Sequence, residues 1–343
     1  MNAAHHLQQC LESWARGDDE RDVIKSLICD IADAGIRISR QIVARELAIE
    51  ERLDSLPGQG DSDSQSMDML AHQIFADAIC DHPVSVLVSA VCAEALPMDP
   101  QGRYAVAIDP LDGAPNLETN LSIGSVFSIL ESDGSDLVGG RPGQLQRAAG
   151  FFYYGPQTRL VLTWGEGTYQ FLLDPERGRF YLLNSPLRIP PGKCEFAINT
   201  SNYRFWDNSM RHFIDDCIAG DEGAMGENFN MRWSGSLVAE AFRILVRGGV
   251  FLYPGDSRPE YRNGRLRLLY HAVPLALIIE QAGGAASDGN ESILTMRLNA
   301  LHARVPLIFG CKERVDEVID YVSGVALDSG HHPLFMNRGL LRK

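Results

Sequence analysis

Two stretches near the N-terminus place apolar residues at helical spacing. The first covers residues 21–49 and contains Gly35, which indicates either a break or a point of close packing. The second covers residues 67–79 and follows a loop at 56–66 that is rich in Gly, Ser and Asp. The pattern therefore predicts two amphipathic helices, or three if Gly35 divides the first. The apolar stripe of the first suits either the protein core or a partner subunit.

Strand patterns dominate the next part of the chain. Runs of apolar, branched and aromatic residues occupy 84–89 and 104–108, and four more are separated by turn residues at 148–154, 160–164, 168–173 and 180–183. The last four are typical of an antiparallel meander. From about Pro190, strands alternate with helices instead. Strands are predicted at 194–198, 250–253 and 307–310, and helices at 208–218, 236–246, 273–282 and 313–322.

This change of pattern predicts an α/β protein with two domains. We expect an N-terminal domain at 1–189, built on a mainly antiparallel sheet with helices. A C-terminal domain at 190–328 is expected to contain a mixed sheet with helices. We expect the tail at 329–343 to be loose.

Composition and charge exclude several classes of partner. The 343 residues carry a formal net charge of -14, which argues against general affinity for nucleic acid or for anionic membranes. The seven cysteines are scattered without a C-x-x-C pair, which is typical of a reducing compartment. No basic segment leads into an apolar one at the N-terminus, and no apolar run approaches the about 18 residues of a membrane span. We therefore expect a cytoplasmic protein.

The candidate chemistry is concentrated in residues 104–130. Pro110 lacks the N–H that a strand ladder needs, so we expect Asp109 to stand at the end of a strand. Asp112 follows on the turn that Pro110 begins, and Gly113 lets a ligand approach the backbone closely. Two carboxylates in one small space are costly unless cations neutralise them, and such ligands suit Mg²⁺ or Mn²⁺ with a phosphate ester. The same residues also fit an ordinary turn in which both side chains bond to nearby backbone.

The sequence Asp-Pro-Leu-Asp-Gly at 109–113, followed by Asn116 and a strand at 122–130, resembles the metal-binding signature of the class 1 fructose-1,6-bisphosphatases. Inositol monophosphatases share only the shorter Asp-Pro-x-Asp-Gly core. The resemblance extends over residues 24–322. Further matches lie at 58–68, 148–155, 234–236, 248–254 and 264–270. It implies an α+β layered sugar-phosphatase fold, and hydrolysis of the 1-phosphate of fructose 1,6-bisphosphate by a metal-activated water in carbohydrate metabolism.

The resemblance also implies a role for each matching residue. Asp109, Asp112 and the Leu111 carbonyl match metal ligands, for Mg²⁺ or alternatively Mn²⁺, and Asp68 matches the aspartate that helps to activate the water. In the family, the arginine that aligns with Arg232 comes from a neighbouring subunit, which implies a homo-oligomer, commonly a tetramer. Without the resemblance, Asp68 is more typical of a helix-capping residue. The residues expected to hold the substrate are Asp112, Gly113, Ala114, Pro115, Asn199, Arg232, Tyr253 and Arg265.

Several metal-binding positions of the family differ in this chain. Two consecutive glutamates align with Ala90 and Val91, which cannot bind a cation, and a third aligns with His271. Histidine is a nitrogen ligand better suited to Zn²⁺, Mn²⁺ or Fe²⁺ than to Mg²⁺, although a lone histidine is more often a hydrogen-bonded wall residue. Glu94 lies close to Ala90 in sequence, but no geometric reason brings it into the site.

The phosphate-binding positions differ as well. Ala114 and Pro115 replace two serines that cradle the reacting phosphate, which removes two hydroxyls and one N–H. One lost donor costs on the order of 3 kcal/mol in the transition state, so several decades of rate are at stake. Arg265 replaces a lysine, so a planar clamp takes the place of a point charge. Trp233 replaces a tyrosine, and Glu131 replaces an arginine of the inhibitory nucleotide site, so we expect no inhibition by AMP.

Two functions are compatible with this pattern. The first is a working fructose-1,6-bisphosphatase with a reduced metal site. The second is a nearly inactive relative that keeps the fold and the sugar pocket and acts as a binding or regulatory subunit, alone or with an active paralogue. An activity like that of inositol phosphatases suits the short core motif but not the C-terminal matches. The missing glutamate pair is the feature that separates the first two hypotheses.

Overall fold

A computed structural model describes residues 5–53, 63–132, 137–183 and 186–324, and leaves the side chains of 45–53 and 63–66 undescribed. The predicted loop at 56–66 falls largely outside these residues, although its last part belongs to a helix that begins at Asp63. The predicted tail at 329–343 lies wholly outside them. No helix in the described ranges combines the length and the apolarity needed to cross a membrane.

The N-terminal part contains a large sheet with helices. Its strands are β1 (Val84–Ser89), β2 (Leu96–Pro97), β3 (Tyr104–Asp112), β4 (Ile123–Glu131), β5 (Gln146–Tyr154), β6 (Thr158–Thr163), β7 (Thr168–Asp174) and β8 (Arg179–Leu182). Its helices are α1 (Leu7–Ala15), α2 (Asp19–Leu53), α3 (Asp63–Ile79) and α4 (Pro142–Leu145). The eight strands have the order β2-β1-β3-β4-β5-β6-β7-β8. Only β1 and β3 are parallel neighbours in it, so the mainly antiparallel sheet and its predicted meander are confirmed.

The C-terminal part contains a smaller mixed sheet. Its strands are β9 (Glu195–Ala197), β10 (Asn230–Met231), β11 (Val250–Tyr253), β12 (Leu266–Arg267), β13 (Gly284–Ser287), β14 (Arg304–Val305) and β15 (Leu307–Cys311). Its helices are α5 (Asn208–Ala219), α6 (Leu237–Arg247), α7 (Val273–Gln281) and α8 (Lys312–Ser323). Five strands pair in the order β10-β9-β11-β15-β13, while β12 and β14 form a separate pair. Parallel and antiparallel neighbours both occur, as the sequence predicts.

Apolar side chains divide the molecule into alternating layers. On β3, Val106 and Ile108 join a core with α1, α2 and α3, whereas Ala105 and Ala107 join a second core with α6 and α7. The second core also takes Phe251 of β11, so α6 and α7 lie between the two sheets. A third core packs α5 and α8 against the other face of the C-terminal sheet. The fold is therefore the layered α/β arrangement predicted from the sequence.

The division of the chain at residue 189 stays a prediction. The first sheet ends with β8 at Leu182, and the second begins with β9 at Glu195. The core between the sheets takes residues from both of them, however, so each sheet shares one apolar face with the same pair of helices. The chain passes from the first sheet to the second between Leu182 and Glu195, but the apolar core is continuous between the two sheets.

One expectation about β3 is wrong, because Asp109 does not end the strand. β3 continues through Pro110 to Asp112, with a shift of register against β4 between Asp109 and Asp112. On the other side, β1 pairs with β3 only as far as Ile108. The missing N–H of Pro110 therefore falls where one ladder has ended and the other bulges, and both places tolerate proline. As a result Asp109 is only 8% exposed.

Gly35 lies inside the single helix α2, and its role is close packing. A Cβ added there would come within 2.3 Å of the Phe152 ring. That ring is fully buried, and four other rings surround it with centroids 5.9 to 6.2 Å away, namely Phe75, Phe127, Tyr154 and Phe180. The ring has no free direction in which to move, so this helix approaches the sheet as closely as a glycine allows.

We expect Gly35→Ala to destabilise the protein by about 1 to 3 kcal/mol through overpacking. In an exposed helix interior the same change stabilises by about 1 kcal/mol, so the sign itself is informative. Denaturant unfolding measures the free energy. In a Phe152→Leu background, the smaller side chain leaves room for the methyl group, and the cost of Gly35→Ala should shrink. An equal cost in both backgrounds would contradict the contact.

Candidate active site

The bulged end of β3 gathers acidic groups. One carboxylate oxygen each from Asp109 and Asp112 and one ring nitrogen of His271 lie within 4.8 Å of one another. The bulge is supported from β4, where the Ser125 hydroxyl donates to the Pro110 carbonyl at 2.6 Å. The structure thus brings both predicted carboxylates into one cluster, together with the histidine that replaces a family glutamate.

His271 reaches this cluster from a wide helical turn at Leu268–Ala272, which immediately precedes α7. Its Nε2 lies 2.6 Å from Asp109 Oδ2, and its Nδ1 accepts the backbone N–H of Arg267 at 3.1 Å. A nitrogen that accepts a hydrogen bond carries no proton, so the proton of the neutral ring sits on Nε2 and points at Asp109. In this arrangement His271 is a hydrogen-bond donor to Asp109.

The charge of His271 responds to two opposing effects. Burial lowers the pKa of its imidazole, whereas the hydrogen bond and charge of Asp109, with the charge of Asp112, raise the pKa, and the rise prevails. A second proton would have to enter at Nδ1, where the Arg267 N–H already donates. Charging of the ring therefore requires a local rearrangement of the turn.

Asp112 is held by the N-terminus of α6. Ser236 caps this helix by accepting the Ala239 N–H at 3.3 Å, and the Val238 N–H donates to Asp112 Oδ2, also at 3.3 Å. The positive end of the helix dipole thus faces a carboxylate. Burial, together with the charge of Asp109, nevertheless raises the pKa of Asp112 to about 6, although His271 and the α6 N–H groups oppose the rise.

Asp68, the expected activator of water, is carried by α3 and is half-buried. Its Oδ1 is shielded from solvent and has no hydrogen-bond partner among the described residues. Burial and then the charge of Asp109 raise the pKa of Asp68 to about 6. A carboxyl group with this pKa can exchange a proton near neutral pH, as a general base must.

The donor set fits one hard divalent cation. Asp109 and Asp112 offer carboxylate oxygens within the cluster. Asp68 does not belong to that cluster, although the charge of Asp109 acts on it and its Oδ1 has no hydrogen-bond partner among the described residues. The lone pair of His271 Nε2 is replaced by a proton in the tautomer that Arg267 selects, so this nitrogen is not ready to bind a metal. Oxygen ligands of this kind suit small hard cations.

The turn after β3 offers few free hydrogen-bond donors among its described residues. Gly113 has a φ of 79°, which L-residues rarely adopt, and it opens a short helix at Ala114–Thr119. Ala114 is buried and Pro115 is exposed. The Asn116 N–H is already bonded to the Gly113 carbonyl at 2.8 Å. The cradle therefore offers fewer free groups to an anion than the family pattern does.

A second candidate pocket lies at the ends of β9 and β11. Asn199, Tyr253 and Arg265, three of the residues that the resemblance expects to hold the substrate, line it together with Asn202 and Asp256. Asn199 also caps the short helix at Thr200–Phe205 by accepting the Ser201 N–H. The four expected substrate residues that lie outside the 112–115 turn are thus brought together here with one exception.

That exception is Arg232, whose side chain is exposed and does not line the pocket. Its neighbour Trp233 packs against Phe251 and Tyr253, with ring centroids 6.0 and 5.9 Å apart. Ala90 and Val91 are half-buried and contribute no ligand, and Glu94 is exposed.

Three described features of the site were not predicted from the sequence: the α6 N–H groups at Asp112, the His271 bond to Asp109, and the contact of the Arg265 guanidinium with the Tyr261 ring. Only the first had a local signal, a serine just before an apolar helix.

The expected loss of nucleotide inhibition concerns the other end of the sheet. Glu131 forms an ion pair with Arg147 at the end of β4. A carboxylate at this position repels a phosphate, so inhibition by AMP remains unexpected. A cavity of about 730 Å³ lies nearby, lined by residues of α1, Arg21, Trp164 and Glu166 among others.

Fold and site together define a class of protein: a layered α/β molecule with an acidic centre at the bulged end of β3 and an arginine-containing pocket at the ends of β9 and β11. Family models agree with this. The model described as the fructose-1-6-bisphosphatase N-terminal domain matches residues 18–185, and that of the C-terminal domain matches residues 189–323. Two class 1 fructose-1,6-bisphosphatases are 47% identical (Nitrobacter hamburgensis, 98% of each chain) and 44% identical (Azorhizobium caulinodans, 92% of this chain and 98% of that protein).

Solved structures agree with these relatives. The crystal structure of Leishmania major fructose-1,6-bisphosphatase in holo form matches with a TM-score of 0.81 at 29% identity, over 94% of this chain and 99% of that one. The chain therefore belongs to the class 1 fructose-1,6-bisphosphatase family.

The raised pKa of Asp68 predicts a pH-dependent stability. Its folded pKa is about 6, against about 3.9 for a free aspartate, so the folded state binds the proton more tightly and loses stability as the pH rises between these values. With EDTA present, we expect Asp68→Asn to raise Tm at pH 8 and not at pH 4. Asp77→Asn, at an exposed position of the same helix, is the control and should change Tm at neither pH. An equal rise at both pH values would rule out the charge as the cause.

Proposed function

We propose that this protein binds fructose 1,6-bisphosphate and hydrolyses its 1-phosphate at the Asp109–Asp112 cluster. The observation that carries the proposal is the convergence of these carboxylates with the N-terminus of α6. The same helix leads into β11, whose end provides Tyr253 to the second pocket. One structural unit thus connects the acidic centre with the residues proposed to contact the distal part of the substrate.

The cation in this proposal is Mg²⁺, with Mn²⁺ as the alternative, held by Asp109, Asp112 and the Leu111 carbonyl. A bound divalent cation lowers the pKa of water and neutralises charge on a phosphoryl group. Asp68 accepts the proton of the attacking water, which suits its raised pKa. The α6 N–H groups favour the ionised form of Asp112 and so oppose the effect of burial, which still raises its pKa to about 6. Substrate orientation falls to Asn199, Tyr253 and Arg265.

A second candidate function is supported by a specific contact. The hydrogen bond from His271 to Asp109 engages an oxygen that a cation would use, and Ala90 and Val91 supply no replacement. A chain of this kind can retain the sugar pocket without efficient turnover. It would then act as a sugar-bisphosphate-binding or regulatory subunit, alone or beside an active paralogue.

We also propose a homo-oligomer in the cytoplasm, with four subunits as in the family pattern. Support for assembly comes from Arg232, which is exposed and extends from the edge strand β10, next to the exposed Met231. Here Arg232 would complete the distal pocket of a partner subunit.

Light scattering after size-exclusion chromatography tests the assembly, and we expect the mass of four subunits. A monomeric protein would contradict it.

Phosphate release from fructose 1,6-bisphosphate is the direct test of the proposed function. We expect release that requires Mg²⁺ or Mn²⁺, at a rate below the roughly 1 per second typical of slow enzymes, because donors and ligands have been lost. Asp112→Asn should reduce the rate at least a hundredfold, and EDTA should abolish it. Glu94→Gln is the matched control at an exposed carboxylate and should have no effect. Calorimetric binding without any release would instead establish the second candidate.

Restoring carboxylates should restore ion binding. The triple variant Ala90→Glu, Val91→Glu, His271→Glu should raise the rate by at least tenfold and give a larger rise in Tm on addition of Mg²⁺, because added charge attracts the ion. His271→Gln is the control, since glutamine can still donate a hydrogen bond to Asp109 and adds no charge. If the control gains as much as the triple variant, removal of the imidazole alone explains the change.

A further inference from the structure

The segment 254–265, which we name the distal loop, is folded tightly against the second pocket. The Ser257 N–H donates to the Phe205 carbonyl at 2.9 Å, and the Asp256 N–H donates to the Tyr261 carbonyl at 3.1 Å. The Gly264 N–H donates to the same Tyr261 carbonyl at 2.9 Å. Gly264 has a φ of 77° and leaves no room for a Cβ, which would lie 2.3 Å from the Val305 oxygen. The loop is therefore a built structure.

Arginine and aromatic side chains alternate along this loop. The Arg258 guanidinium lies 4.1 Å from the ring centroid of Phe205 and 4.7 Å from that of Tyr261. The guanidinium of Arg265 also lies over Tyr261, 3.6 Å from the centroid of its ring. We name the set Phe205, Arg258, Tyr261 and Arg265 the distal stack. Each contact lies within the range of cation–π attraction.

The two arginines of the distal stack differ in their other bonds. Arg258 forms an ion pair with the buried Asp256 and also donates to Asn202 at 2.9 Å. That ion pair lowers the pKa of Asp256, which keeps its carboxylate occupied by Arg258. Arg265 makes no hydrogen bond or ion pair with another described side chain, and it lines the pocket. Its close contact in the described structure is with the Tyr261 ring, the charge of Asp256 attracts it as well, and its N–H groups have no partner among the described side chains.

We propose that Tyr261 is a positioning residue that holds the Arg265 guanidinium ready for the distal phosphate of a sugar bisphosphate. The inference rests on the proposed function, which supplies the ligand. A flat ring fixes the plane of a guanidinium, and a fixed plane presents two parallel N–H groups to phosphate oxygens. The Arg258 guanidinium also lies over the Tyr261 ring, and its ion pair with Asp256 already engages that carboxylate. The stack therefore favours ligands with a second phosphate over sugar monophosphates.

Tyr261→Leu tests the proposal, with Tyr261→Phe as the matched control that keeps the ring. We expect Tyr261→Leu to weaken calorimetric binding of fructose 1,6-bisphosphate about tenfold, as expected for loss of one partly desolvated cation–π contact. Binding of fructose 1-phosphate, which lacks the distal phosphate, should not change. If the protein turns over, KM should rise while kcat stays constant. Tyr261→Phe should match the unsubstituted protein in every measurement.

A double-mutant cycle separates positioning from a general loss of structure. In an Arg265→Ala background, Tyr261→Leu should have no further effect on bisphosphate binding. An equal loss in both backgrounds, or an equal loss for both sugars, would overturn the inference.

A ligand-free measurement distinguishes failure of the inference from failure of the proposed function. The side-chain resonances of Arg265 should show a ring-current shift that persists in Tyr261→Phe and disappears in Tyr261→Leu. Absence of that shift in the unsubstituted protein would overturn the stack. If the shift is present but fructose 1,6-bisphosphate does not bind, the proposed ligand is wrong, and Tyr261 is left without the role inferred here.

Discussion

Repulsion between buried carboxyl groups is the constraint on which the candidate centre depends. Asp109 is almost fully buried, and burial followed by the charge of Asp109 raises the pKa values of both Asp68 and Asp112. Two groups of the chain itself offset this repulsion: the His271 ring beside Asp109, and the N-terminus of α6 beside Asp112. Carboxylates that share a buried site repel one another unless a cation or hydrogen-bond donors offset their charge. This chain supplies part of that compensation through an internal hydrogen bond in place of an ion.

Compensation of the carboxylate charge by a hydrogen bond instead of a cation has two physical consequences. A hydrogen bond from a neutral imidazole stabilises a buried carboxylate without any ion, so the centre can hold its shape in the absence of metal. A divalent cation that binds there must compete with His271 for Asp109, and it finds fewer oxygens to complete its shell. The contact between His271 and Asp109 is therefore the feature of the centre that most directly affects how a cation could be bound.

Much of the fold could be predicted from local patterns, because helices and strands with one buried face carry a regular spacing of apolar residues. The strands at 84–89 and 250–253 coincide with β1 and β11. The end of β3 could not be predicted in this way. Pro110 breaks a ladder only if a neighbour is present on its N–H side, and pairing with β1 is a property of the tertiary structure.

The candidate site also combines features that the local sequence reveals with features that only the folded chain brings together. The Asp-Pro-Leu-Asp-Gly motif is local, so its two carboxylates were found from the sequence. His271 and Asp109 are 162 positions apart, and only the folded chain joins them. The tautomer of His271 depends in turn on a backbone N–H, which no residue type reveals. The support of Arg265 by Tyr261 escaped prediction for another reason, since a tyrosine in a polar loop has no periodic partner that would mark it.

The position of α7 between the sheets has a consequence for the behaviour of the whole chain. This helix contacts β4, β5 and β6 of one sheet and β13 and β15 of the other. Removal of either half would expose the apolar surface that α7 shares with it, so neither half retains a complete interior. The two sheets should therefore melt as one cooperative unit, even though the amino-acid pattern changes character between them.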